Sequence, residues 1–81
     1  MDCTFSKFYD LRDEFSLLLS MRSSGAEMLS GQLYLDRDRQ DNISSGISQI
    51  DKMLDNLESA AGELGEEFKT SLMVLRENAP A

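Results

Sequence analysis

Between Ile43 and Phe68 the apolar residues return at alternating intervals of four and three: Ile43, Ile47, Ile50, Leu54, Leu57, Ala61, Leu64 and Phe68. A strand repeats its faces every two residues and an α-helix every 3.6, so this spacing confines the segment to an amphipathic helix. Leu72 and Leu75 extend the apolar side, and the pattern predicts one long helix over about 43–77. Asp41 and Asn42 are candidate caps at its start, while Asn78 and Pro80 are stop signals at its end. Gly46, Gly62 and Gly65 lie inside the span. Each costs about 1 kcal/mol relative to alanine, so they imply close approach of another helix or local flexibility.

The first third is also helical in rhythm. Phe5, Phe8, Leu11, Phe15 and Leu18/Leu19 recur at threes and fours, predicting an amphipathic helix over about 5–22. Ser23-Ser24-Gly25 then interrupts the pattern, and Ser24 with Glu27 three residues later forms a capping-box sequence. A new helix over about 25–35 is therefore expected. Pro80 is the only proline, so no residue bars helix in the body of the chain. The fold class that follows is all-α: a single small domain over 1–81, with two or three amphipathic helices in a hairpin or bundle with coiled-coil-like packing.

Counting back from Ile43 in the same rhythm reaches Gln40, Asp36, Leu33, Leu29, Ala26, Arg22, Leu19 and Phe15. Sixteen positions thus keep one phase, and among them only Arg22, Asp36 and Gln40 are polar. Such a seam serves equally a coiled coil and an antiparallel bundle. The stretch from Asp36 to Asn42, DRDRQDN, is either a turn or a polar centre within one long helix. Two successive polar seam positions, Asp36 and Gln40, favour the turn. Residues 26–35 and 43–77 would then pack as a hairpin, with Leu29, Leu33 and Tyr34 against Ile47, Ile50 and Leu54. Met28, Met53 and Met73 lie near seam positions and are expected to fill the core, or else to line a groove for a partner helix.

Chemistry has little to work with. The chain has no His and a single cysteine, Cys3, so neither an internal disulfide nor a zinc site can be built. Asp36-x-Asp38-x-Gln40 departs from a calcium loop, which needs Gly at its sixth position and Glu at its twelfth; here these are Asp41 and Ile47. The pairs Asp51/Asp55 and Glu63/Glu67 are spaced as metal ligands can be, but with no His beside them they read as a solvated face. Asn42-Ile43-Ser44 fits a glycosylation sequon that no leader delivers to a secretory route. The sequence implies no catalytic residue, no cofactor and no enzyme activity.

Fifteen acidic residues against eight basic ones leave a net charge of −7. A surface of that sign repels phosphate, which argues against nucleic acid as a partner. Six of the acids fall between Asp51 and Glu67, opposed within that run only by Lys52. No apolar run approaches the roughly 20 residues needed to cross a bilayer, so direct membrane insertion is not expected. One cysteine and no leader suit a cytoplasmic location.

The seam with its polar centre resembles a SNARE motif of the Q-type, in which apolar layers flank one polar layer of a four-helix bundle. With Gln40 as the central glutamine, eight layers follow, ending at Phe68, and seven precede, beginning at Phe15. A second alignment places Asp36-Arg37 on the Gln-Arg pair of Golgi and endosomal members. The resemblance implies assembly with three other helices; the chain departs from the family in that no transmembrane anchor follows the motif and Ser23-Ser24-Gly25 reads as a helix boundary. Size, acidity and helix content are also similar to small chaperones of bacterial secretion systems.

The expected function is a non-enzymatic protein–protein interaction module whose seam, Ile43, Ile47, Ile50, Leu54, Leu57, Leu64 and Phe68, is completed by partner helices in a homo- or hetero-oligomer. The alternative is a small acidic chaperone or regulator that shields an amphipathic or basic partner, with Glu58, Glu63, Glu66 and Glu67 as its contact charges.

Overall fold

A computed structural model of the chain describes residues 3–31 and 36–79. The described residues form three helices and no strand: α1 (Thr4–Gly31), α2 (Arg37–Leu64) and α3 (Glu66–Asn78). The all-α class read from the periodicity is therefore the architecture found.

α1 and α2 run antiparallel. Arg22 meets Asp51 at 2.7 Å, and a Cβ placed on Gly25 would stand 3.3 Å from Cγ1 of Ile47. Moving forward along one helix thus moves backward along the other. α3 folds back on α2 in the same way, with Gly62 near Lys69 and Asp55 bound to Arg76. The molecule is a rod of 53 × 19 × 16 Å.

Two helix boundaries differ from those the sequence predicts. The expected helices over 5–22 and 25–35 are one continuous helix through Ser23-Ser24-Gly25. Gly25 explains the continuity: the lack of a side chain lets α1 lie directly on Ile47 and Ile43. The capping-box sequence at Ser24 starts no helix, because a break there would sacrifice that contact. Conversely, the expected helix over 43–77 is broken at Gly65 into α2 and α3. A straight helix would carry Phe68 and Leu72 away from α1. Folded back, both are buried, with Leu72 at 0% exposure.

α2 also starts earlier than expected. α1 stops at Gly31, and Asp36 caps α2, its Oδ1 accepting from Arg39 N–H at 2.8 Å. Arg37 to Asn42 are the first turns of α2 and not the connection. Leu33 and Tyr34, expected to pack in the hairpin, lie outside the described residues.

The core sits at one end of the rod. Phe8, Phe15 and Leu18 from α1 meet Leu54 and Ala61 from α2 and Phe68 and Leu72 from α3. Phe68 stacks on Phe8 at 4.7 Å between ring centres and receives the edge of Phe5 at 5.7 Å. α3 has 13 residues against 28 in α2. At 1.5 Å per residue it is about 20 Å long beside a partner of about 42 Å. The half nearest the 32–35 connection is therefore two helices thick, and no described residue there is buried.

Candidate interaction surface

The seam is largely internal. Leu54, Ala61 and Phe68 are in the core, and Ile50, Leu57 and Leu64 pack against it. Ile43 and Ile47 are half-buried beside Gly25. The sixteen-position stretch is expected to have its seam completed by partner helices, yet it buries most of that seam against itself. It does so by folding twice, which leaves Ile43 and Ile47 as the seam members farthest from the core.

The polar centre is divided by the same fold. Asp36 is exposed and serves as the cap of α2, and its backbone carbonyl accepts from Gln40 N–H at 3.0 Å. Gln40 is half-buried in the second turn of that helix. Their backbone and cap contacts start a helix; they do not sit in the middle of one.

The acidic run has a structural role that the sequence did not indicate. Nε of Arg22 donates to Oδ1 of Asp51 at 2.7 Å. From α3, Arg76 donates to Asp55 at 2.7 Å, Glu58 at 3.3 Å and Asp51 at 3.4 Å. The hydrogen bond that Arg76 donates to Asp55 holds its guanidinium above its ordinary pKa against the opposing effect of burial, with Glu58 adding to the rise. Half of the acids between 51 and 67 therefore clamp helices together, which corrects their reading as a solvated face. Glu63, Glu66 and Glu67 remain exposed. Among the described residues no three His, Cys, Asp or Glu side chains converge on a common point as a metal site requires.

What faces solvent is unexpectedly apolar. Leu17 is 61% exposed, Met21 51%, Met28 52% and Met53 45%. Met28, Met53 and Met73 are expected to fill the core or else to line a groove for a partner helix; all three are exposed, which overturns the core alternative. Leu17 and Met21 carried one signal in the sequence. Leu17, Leu18 and Leu19 are consecutive, and residues 100° apart on a helix cannot all face one core.

These side chains share a flank. Leu17, Met21 and Met28 lie about 180°, 140° and 160° around α1 from Phe8, which stacks on α3. Met53 is two residues from both Asp51 and Asp55, which bind Arg76 of α3, and so lies about 160° around α2 from each. Both sets border the α1–α2 groove on the side away from α3, with Met53 at the level of Met21 by the Arg22–Asp51 pairing. The opposite side is filled by α3, whose outer residues Met73, Val74 and Leu75 are themselves exposed. There Phe8, Arg12, Val74 and Leu75 line a shallow cleft of about 350 Å³.

Among the described residues no helix is long and apolar enough to cross a membrane. No protein family, curated protein or solved structure compared with this chain matches it.

Proposed function

We propose that this chain is a non-enzymatic helical interaction module whose docking surface is the α1–α2 flank opposite α3. The observation that carries this reading is the exposure of Leu17, Met21, Met28 and Met53 along one groove while the heptad seam is turned inward. Exposed large apolar side chains grouped on one flank mark a place where another protein excludes water. Methionine suits such a surface, because its unbranched side chain repacks around different partners. The reading combines the interaction module with the alternative of a small acidic chaperone that shields an amphipathic helix. A protein partner, not nucleic acid, fits the net charge of −7, and a cytoplasmic setting fits the lone Cys3.

SNARE-type assembly through residues 15–68 is the competing reading. It requires the hairpin to open and the kink at Gly65 to straighten, exposing Phe15, Leu54 and Leu72 until partner helices cover them. Docking on the closed hairpin carries no such cost.

A photo-reactive side chain at position 21, compared with one at exposed Asn56, tests the proposal in living cells. Position 21 is expected to form intermolecular adducts and position 56 far fewer. Equal or absent adducts at position 21 would remove the reading.

A further inference from the structure

We infer that the occupant of this flank is a second copy of the same chain, docked antiparallel to make a four-helix layer from two hairpins. The inference rests on the flank being a docking surface and adds the identity and direction of what covers it.

Charge placement supplies the argument. Along the flank of α1, Leu17, Met21 and Met28 follow one another with no charged residue among them. On α2 the matching positions are Asn42, Gly46 and Met53, again without charge. The charges stand at the two ends. Asp10 and Glu14 precede the neutral strip on α1, and Arg39 precedes it on α2. None of these three side chains forms an ion pair with another described residue.

Their distances from the middle of the strip match. The Arg22–Asp51 and Gly25–Ile47 contacts set Arg39 beyond the Gly31 end of α1, about 11 to 12 helical residues along the rod from the middle of the strip. Taking the midpoint of Leu17 and Met28 as origin, Arg39 lies about 17 Å to one side at 1.5 Å per residue. On the other side, Glu14 lies about 13 Å away and Asp10 about 19 Å away. A two-fold axis through that midpoint, perpendicular to the helices, therefore brings Arg39 of each copy level with Asp10 and Glu14 of the other, diagonally across the groove. The two methionine strips then face each other. A two-fold interface needs this self-complementarity, since one patch must serve as both partners. A parallel arrangement would place Asp10 and Glu14 against their own copies, where like charges repel.

Sedimentation equilibrium on the full chain tests the inference. A dimer is expected, and Met21→Glu should raise its dissociation constant at least about tenfold while leaving helical circular dichroism unchanged. Arg39→Glu should weaken the dimer, and Arg39→Glu combined with Asp10→Arg should restore it, because each copy then presents the reversed pair. A monomer at all soluble concentrations overturns the inference. So does a dimer indifferent to Met21→Glu, or one that the combined charge reversal fails to rescue. If the chain is monomeric yet position 21 still cross-links to other proteins, self-pairing fails and the docking surface stands. If position 21 forms no adducts, the docking surface itself fails.

Discussion

Arg22 of α1 donates to the same carboxylate oxygen of Asp51, at 2.7 Å, that Arg76 of α3 approaches at 3.4 Å. One acceptor on the middle helix thus holds both of its neighbours. It sits near the point where the three-helix half of the rod gives way to the two-helix half, and it links the hairpin to the returning α3.

Asp51→Ala should therefore destabilise the protein more than Arg22→Ala does. Partly exposed ion pairs contribute less than about 1 kcal/mol each, so a loss of about 1 kcal/mol is expected for Asp51→Ala and less for Arg22→Ala. Urea unfolding of the two variants checks the order. Raised salt should narrow the gap between them, since screening weakens exposed pairs.

At Gly65, an added Cβ would stand 3.1 Å from Cδ2 of Phe68 and 3.1 Å from Oε1 of Glu67. Gly65→Ala makes the Phe68 ring give way by a few tenths of an ångström, and alanine favours the unbroken helix by about 1 kcal/mol. Both effects push α3 away from α1. Small-angle scattering should show the radius of gyration rising above 14.9 Å, and a distance label between α1 and α3 should lengthen. An unchanged radius would mean that Gly65 does not control the fold-back.

Gly46 and Gly25 predict opposite outcomes from similar substitutions. No atom lies within 4 Å of a Cβ at Gly46, whereas Ile47 and Ile43 crowd one at Gly25. Gly46→Ala should stabilise by up to about 1 kcal/mol through helix propensity. Gly25→Leu should destabilise by about 1–3 kcal/mol through overpacking. Thermal unfolding separates them, with a melting shift of about 4–8 °C per kcal/mol for a domain of this size.

Leu54 is fully buried among Phe15, Leu18 and Leu72 in the single core cluster. Leu54→Ala should cost about 2–5 kcal/mol. Native stability scales at roughly 0.05–0.15 kcal/mol per residue, so in so short a chain this is a large share of the total. A sharply lowered urea midpoint is expected. A shift as small as that of Asp51→Ala would show that the core contributes less than its burial implies.

The seam from Ile50 to Phe68 was legible in the sequence because helical periodicity is a local property, and the structure places those residues in or against the core. The same logic gave Phe5, Phe8, Leu11, Phe15 and Leu18/Leu19 as the inward face of the first helix; all but Phe5, which is 62% exposed, lie in or against the core. It failed at two small-residue sites for one reason. Ser23-Ser24-Gly25 looks like a break and is continuous; Gly65 looks like a tolerated glycine and is a hinge between helices. At Gly25 the decisive contact is with Ile47, and at Gly65 it is between Phe68 and Phe8. Neither partner is near in sequence.

The candidate surface was less legible than the fold. Met28 and Met53 sit beside the seam in the heptad count, and only the path of α3 decides which flank of each helix is covered. By itself the sequence determined an acidic, all-helical chain with one strong apolar stripe, because residue spacing and charge are local. The tertiary structure decided where that stripe doubles back and which apolar side chains remain outside. Those outcomes depend on whether burying Phe68 and Leu72 against α1 outweighs keeping one straight helix, a comparison between distant segments.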